Sequence, residues 1–320
     1  MFRISHNTSY DFVRNWKLAL ITVGLFVIPA LILVPLKGFN YSIEFTGGTE
    51  LRLEFATAPK IADVRAAVSD AGLGEAEITT FGSPEEIRIR AQERAQVERQ
   101  IGGAGTVADE IEAALRAKFG PDGFKRLSGE AVGPRVGGEL RQNAILATLI
   151  AFALTLVYLA WRFEWRFGVA AVLGTMHDSF ATFAFIKYAD IEISLFVVAG
   201  ILTVIGYSMN DTVVVFDRVR ENLRRNRKEP LRDVINRSLN ETLPRTIMTG
   251  TTTLASLLAL VIFGGEVMRP FALILLFGII VGTFSSIWVA APLLLWIEKK
   301  WPRTNDATPH STRPATATRG

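Results

Sequence analysis

Apolar residues in this chain are gathered into long blocks divided by polar stretches. Blocks close to the ~20 residues needed to cross a hydrocarbon layer fall at Leu18–Leu36, Ala144–Trp161, Phe167–Lys187, Ile191–Phe216, Leu243–Gly264 and Phe271–Ile297. The pattern predicts six membrane-spanning helices. Arg3, Arg14 and Lys17 precede the first block, as they would precede a secretory signal. Its apolar core is longer than a usual signal core and no A-x-A pattern follows, so the segment is expected to remain as a first helix.

One polar block interrupts this series, at residues 37–138, and it is long enough to form a small domain. In "YSIEFTGGTELRLEF" the residues Tyr41, Ile43, Phe45, Leu51, Leu53 and Phe55 alternate with polar ones, which predicts a long strand or a strand pair. "KIADVRAAVSDAG" places Ile61, Val64 and Val68 at helical spacing and stops at Gly72. "EAEITTF" and "EIRIRAQ" read as short strands divided by a turn at Gly82-Ser83-Pro84. Beyond a "GGAG" loop, "VADEIEAALRAKFG" is a second amphipathic helix and "FKRLSGEAV" a last strand. The order β-α-β-β-α-β is that of a ferredoxin-like domain, which indicates a fold and no activity.

Composition agrees with a polytopic membrane protein: 320 residues, 49% hydrophobic, 21% charged, mean hydropathy +0.29. The basic residues set its expected orientation. With the amino terminus inside, the inner segments hold Arg3, Arg14 and Lys17, then Arg162 and Arg166, then Arg218, Arg220, Arg224, Arg225, Arg227, Lys228, Arg232 and Arg237, then Lys299, Lys300 and Arg303. The two short outer loops hold only Lys187 and Arg269. Both termini are therefore expected in the cytoplasm. The expected organisation is a cytoplasmic start at 1–17, a first helix at 18–36, an outer α+β domain at 37–138, helices two to six across 139–297 with a basic inner loop at 217–242, and a disordered tail at 298–320. The net charge of +4 is then accounted for by membrane lipids at the inner rim, without nucleic acid.

The absence of cysteine removes disulfides, thiol catalysis and thiolate metal sites. His6, His177 and His310 are scattered, no HExxH or GxxxxGK[ST] occurs, and neither a metal site nor nucleotide hydrolysis is expected. "FTGGTE" reads as a backbone turn or bulge in the long strand, not as a phosphate loop.

The ionisable residues inside the apolar blocks are few: Asp211 in the fourth, His177 and Asp178 in the third, and Arg245 at the start of the fifth, followed by Thr249, Thr252 and Thr253. A carboxylate at the centre of a membrane helix costs about 2.5–3.5 kcal/mol on insertion scales, so such residues mark pairs or pathways. Asp211 lies a few residues from the inner end of its block and Arg245 near the inner start of the next, which predicts a contact between them. An arginine beside a carboxylate favours its ionised form and dehydration favours its protonated form, so a carboxylate that alternates between the two environments carries a proton. The alternative is a static pair that fixes packing, and for His177 and Asp178 a hydrogen bond to a neighbouring helix serves equally well. Gly206, Ser208 and Asn210 are expected to loosen the fourth helix beside Asp211. Gly278, Gly282 and Ser286 repeat every four residues as a close-packing stripe against a helix of this chain or of a partner.

The motifs "YDFVRNWK", "EFTGGT", "VGPRVGGEL", "WRFEWRFG", "HD", "GYSMNDTVVVFDRVREN" and "LPRTIMTGTTT", in this order, give the chain a resemblance to the SecF branch of the SecD/SecF protein-export family over nearly its whole length. Glu44 stands where the first glycine motif of that family usually has Asp. The resemblance implies an α-helical polytopic fold, six helices forming half of an RND-like transporter, with one small ferredoxin-like periplasmic domain between helices 1 and 2. It implies a bacterial inner-membrane location, a SecD partner, the SecYEG channel, YajC, a translocating preprotein, and no cofactor. It also implies use of the proton motive force, with the family's essential aspartate falling on Asp211, its arginine on Arg245 and its threonine on Thr249. A scaffold subunit without proton coupling and half of an RND-type exporter of small molecules or lipids are the competing readings.

Overall fold

The computed structural model describes residues 10–91, 105–226 and 229–302. His6, His310, Arg3, Arg227, Lys228, Arg303 and most of the "GGAG" loop lie outside these ranges. The first apolar block forms α1 (Val13–Lys37), with a π-type turn at Val23–Val27. Gly38, at φ +61°, ends it where a side chain would be strained. Leu20, Ile21, Leu25, Ile28, Leu31 and Ile32 all point outward, so α1 presents a lipid-type surface.

The stretch expected as one long strand is divided. Ile43–Thr46 is a single helical turn, α2, and strand β1 covers only Gly48–Phe55. The apolar alternation of Tyr41, Ile43 and Phe45 is satisfied elsewhere: Tyr41 forms an isolated bridge to Ile193, Ser42 N donates to Ile193 O at 2.9 Å and Ile193 N donates to Asn40 O at 2.8 Å. Gly47 (φ +74°) turns the chain between α2 and β1, and a Cβ there would lie 2.7 Å from Pro134 Cα. The glycine motif thus joins two elements and is not a bulge within one.

The remaining domain elements are α3 (Ile61–Asp70), β2 (Glu77–Phe81), β3 (Ser83–Ala91), α4 (Gly105–Phe119) and β4 (Phe124–Val132). All sheet pairings are antiparallel in the order β2-β3-β1-β4, the ferredoxin-like arrangement. Strand period two puts Leu51, Leu53, Phe55, Ile87 and Ile89 on the face covered by Val64, Val68, Ile111 and Leu115. The opposite face carries Glu50, Arg52, Arg88 and Arg90. The β2–β3 turn is tighter than expected: Gly82 (φ +76°) makes it alone, with Ser83 already opposite Phe81.

Five helices follow: α5 (Pro134–Arg162), α6 (Trp165–Tyr188), α7 (Leu195–Arg225), α8 (Leu231–Phe263) and α9 (Gly265–Lys300), the last with a π-type turn at Ser286–Ala290. With α1, the described residues hold six helices long and apolar enough to cross a membrane. α6, α7 and α9 form the packed interior, whereas α1, α5 and most of α8 stay open on their outer sides. Residues 191–194, expected at the head of the fourth helix, are instead extended, and Ser194 caps α7 by accepting from Val197 N. The basic inner loop expected at 217–242 is helical at 217–225, within α7, and at 231–242, within α8. Its charged residues flank a buried seam of Val219, Val234, Ile235 and Leu239, which stabilises both extensions as amphipathic helices. Asn222 Nδ2 closes the seam by donating to Ser238 Oγ at 3.0 Å and to Glu241 at 2.7 Å. Residues 298–300, expected in the tail, belong to α9, which runs to Lys300 with Glu298 buried.

The "YDFVRNWK" motif clasps the start of α8. Asp11 accepts from Asn236 Nδ2 at 2.8 Å and pairs with Arg232 at 2.7 Å, and Tyr10 exchanges two hydrogen bonds with Asn240. The Asn236 hydrogen bond, aided by Arg14 N and Arg232, holds the Asp11 carboxyl below the ordinary aspartate range.

Candidate intramembrane site

Because α7 continues to Arg225 and α8 begins at Leu231, Asp211 and Arg245 both lie deep within their helices. Asp211 is 4% exposed and turned toward α9, where Thr283 Oγ1 donates to its Oδ2 at 3.3 Å. Arg245 acts on it electrostatically but forms no ion pair with it within 4.0 Å. The expected Asp–Arg contact is therefore absent from this arrangement. The reason is rotational: Arg245 shares the exposed face of α8 with Met248 and Thr249, while Asp211 faces the interior. Thr249 Oγ1 is held by its own helix, donating to the carbonyls of Arg245 at 3.0 Å and Thr246 at 3.2 Å.

His177 and Asp178 belong to a second polar cluster, buried between α1, α6 and α7. His177 Nδ1 lies 2.9 Å from Asp178 Oδ1, its Nε2 lies 3.0 Å from Thr22 Oγ1, and the Ser208 hydroxyl donates to Asp178 Oδ2. Thr22 has one hydroxyl proton and two acceptors in reach, Nε2 of His177 and the carbonyl of Ala19 at 2.9 Å. The Thr22 hydroxyl can donate to only one of the two at a time, so its rotation decides which of Ala19 and His177 it serves.

Small residues bring the two clusters together. A Cβ on Gly282 would lie 3.0 Å from Ser208 Cβ, and one on Gly278 would enter the side chain of Val204, so α9 and α7 are in backbone-level contact. The stripe thus packs on a helix of this chain, with Ser286 buried and donating to Thr283 O at 2.9 Å. This approach puts Thr283 against Asp211, one turn from Ser208. Gly206 and Asn210 both face outward, and α7 is continuous through them, without the expected loosening. The sequence reading did not single out Thr22 or Thr283, hydroxyls within apolar runs whose role depends on what packs opposite. Among the described residues no group of three or more His, Asp or Glu side chains gathers as metal ligands would.

At the other end of α7 the α+β domain is tied down. Arg90 meets Glu192 at 2.6 Å and Glu50 at 2.9 Å, Arg88 reaches Glu192 at 3.4 Å, and Glu44 accepts from Leu195 N at 2.6 Å. Burial works against the charge on Arg90, but Glu192 and Glu50 outweigh it and hold its pKa above the ordinary value. Glu44 lies at the positive end of α7, where a carboxylate is favoured.

Residues 111–300 match the family described as protein export membrane protein SecD/SecF, C-terminal, and residues 32–59 match the SecD/SecF GG motif. This chain belongs to the SecD/SecF family. The SecD/SecF GG motif spans the end of α1, α2 and β1, the junction at which Gly47 approaches Pro134. Among relatives named protein translocase subunit SecF, that of Gemmatimonas aurantiaca is 54% identical over 96% of this chain and 92% of its own length. That of Desulfurispirillum indicum is 44% identical over 89% of this chain and 90% of its own. A crystal structure of SecDF from Thermus thermophilus, described as a translocon-associated membrane protein, superposes with a TM-score of 0.79 at 36% identity over 92% of this chain. This chain spans 39% of that one. SecDF in a super-membrane-facing form gives a TM-score of 0.67 at 36% identity, over 93% of this chain and 40% of the other. The SecD/SecF membership makes the chain a membrane-embedded subunit of a protein translocase.

Proposed function

We propose that this chain is the SecF-type half of a proton-driven motor that, with a SecD-type partner, promotes preprotein movement through and release from the SecYEG channel. The observation that carries the reading is Asp211: a carboxylate buried at the middle of a membrane helix, hydrogen-bonded to one hydroxyl and without a cation in contact. An ion so placed costs several kcal/mol unless a partner arrives or a proton does, so its charge is coupled to the positions of its neighbours. Arg245 is the mobile counter-charge in this scheme, Thr249 holds the turn beside it, and the His177–Asp178 pair is a further member of the relay.

The open face of α8 supports a partner. Arg245, Met248, Thr249 and Leu258 lie exposed along it, and a charged residue facing outward in a membrane helix calls for a covering protein. A SecD-type subunit is the occupant that the relatives suggest. In this reading both termini are cytoplasmic, the α+β domain is periplasmic and the membrane is the bacterial inner membrane, in keeping with the distribution of Lys and Arg.

The test is the rate at which inverted membrane vesicles complete preprotein translocation under a proton gradient, comparing Asp211→Asn with the parent at equal levels of complex. Loss of the gradient-dependent part with assembly intact is the expected result. Retention of that part makes Asp211 a packing residue and the chain a scaffold.

A further inference from the structure

At the end of the bundle where α5 finishes and α7 projects past it, a hollow of about 370 Å³ is lined by Arg162, Asp217, Arg220, Glu221, Arg224 and Arg225. Both carboxylates are already engaged: Asp217 pairs with Arg162 at 2.8 Å, and Glu221 pairs with Arg218 and Arg225. That leaves Arg220 and Arg224, one helical turn apart, with no carboxylate within 4.0 Å among the described residues. Arg220 makes a single long hydrogen bond, from Nη1 to Arg162 O at 3.4 Å, and its Nε is buried with no acceptor at all. A buried guanidinium donor left unmatched is costly, and a planar fork of such donors fits the oxygens of a phosphate.

The surroundings indicate which phosphate. Trp161 and Trp165, beside the hollow in the chain, are 85% and 51% exposed, as aromatic residues are at the level of lipid headgroups. Leu154, Val157 and Tyr158 continue outward along α5 toward the membrane interior, a surface suited to acyl chains. We propose that this hollow binds the phosphate of an anionic phospholipid, gripped by Arg220 and Arg224, with its acyl chains along α5. The site is independent of the proton reading, since no group in it belongs to the Asp211 or His177 clusters. It differs from a general attraction of basic residues to anionic lipid in having two named donors and a bounded volume.

The test is native mass spectrometry of the full chain in a non-ionic detergent, offered equimolar phosphatidylglycerol and phosphatidylcholine. The parent is expected to retain phosphatidylglycerol about tenfold better, the size of one strong charge-assisted contact. Arg224→Gln, at an exposed position that tolerates substitution, should reduce the preference to about threefold, and Arg220→Gln/Arg224→Gln should abolish it. Lys299→Gln/Lys300→Gln removes the same charge at the same end of the bundle and should leave the preference intact. An unchanged preference in Arg224→Gln, or an equal loss in the lysine variant, overturns the proposal. So does displacement of the lipid by millimolar inorganic phosphate, which marks a soluble-anion site. Loss of lipid on binding a SecD-type partner, with that binding weakened by Arg224→Gln, shows an acidic protein segment in the hollow and overturns it as well.

Discussion

Gly278 of α9 stands so close to Val204 of α7 that a Cβ on the glycine would lie within 2.6 Å of Val204 Cγ1 and still closer to Cγ2. Neither helix can yield without moving Thr283 away from Asp211. Gly278→Ala should therefore destabilise the bundle by about 1–3 kcal/mol, the usual range for overpacking. Val204→Ala, which removes both γ-methyls, should restore much of the loss. Thermal melting of the two single variants and the double variant in detergent measures this coupling, and additive effects would contradict it.

Gly47 meets backbone, which has less freedom than a side chain. Gly47→Ala brings a Cβ to 2.7 Å from Pro134 Cα at a φ of +74°, so both contact and conformation oppose it. Separation of the α+β domain from the start of α5 should follow, read as new protease cleavage between 38 and 48 or near 133. A parent-like digestion pattern would show that the junction adapts.

Arg90 holds two carboxylates from different parts of the fold, Glu50 in β1 and Glu192 before α7. Arg90→Met leaves both without their main cation and should cost on the order of 2 kcal/mol, less than a fully enclosed pair would. Hydrogen exchange should rise at Ile193 and Leu195 while the sheet itself stays protected. Uniform exchange across the domain would mean that Arg90 supports the sheet and not the docking.

The clasp at Asp11 gives a pH dependence of definite sign. Its folded-state carboxyl titrates below the ordinary value of 3.8, so the ionised form favours the closed clasp. The contribution is complete above that value and is lost as pH falls through the lower folded one. The distance between spin labels at the exposed positions 15 and 233 should be the same at pH 7 and pH 5 and should broaden below about pH 4. Asp11→Asn should flatten that profile.

His177→Ala removes the link between Thr22 of α1 and Asp178 of α6. Asp178 keeps the Ser208 hydroxyl on Oδ2 but loses the partner of its buried Oδ1, which should cost about 1–3 kcal/mol. It should also free α1, increasing labelling of a cysteine at position 30, where the parent alanine is buried. Unchanged labelling would show that the outer helix is held by lipid packing alone.

Much of this was legible in the chain. Long Leu, Ile and Val runs marked the membrane helices, and the alternation of Leu51, Leu53 and Phe55 against Ile87 and Ile89 marked the sheet. Tyr41, Ile43 and Phe45 misled because their period suits a strand, while their partner, Ile193, lies far along the sequence and no local pattern announces it. The segment 217–242 looked like a loop because charge outweighs the sparse seam of Val219, Val234, Ile235 and Leu239. Asp211 and Arg245 were identifiable as rare charges in apolar surroundings, yet which way each faces is set by helix rotation, which for Asp211 on α7 is fixed by the Gly278–Val204 contact with α9. Thr283 became visible only when that contact was in place.

Helix α7 runs for 31 residues without a break, a length of about 46 Å at 1.5 Å per residue. Its head is fastened to the α+β domain through Glu44 and Glu192, Asp211 sits near its midpoint, and its far end carries Arg220 and Arg224. A continuous rod that tilts as one body would act as a lever, with a fulcrum where α7 is packed most closely, at the Ser208–Asp211 turn. A tilt of about 3° around that point swings each end by about 1 Å in opposite senses, enough to make or break a hydrogen bond. In that case displacement of the domain at one end and a shift of Arg220 and Arg224 at the other would be two ends of a single movement.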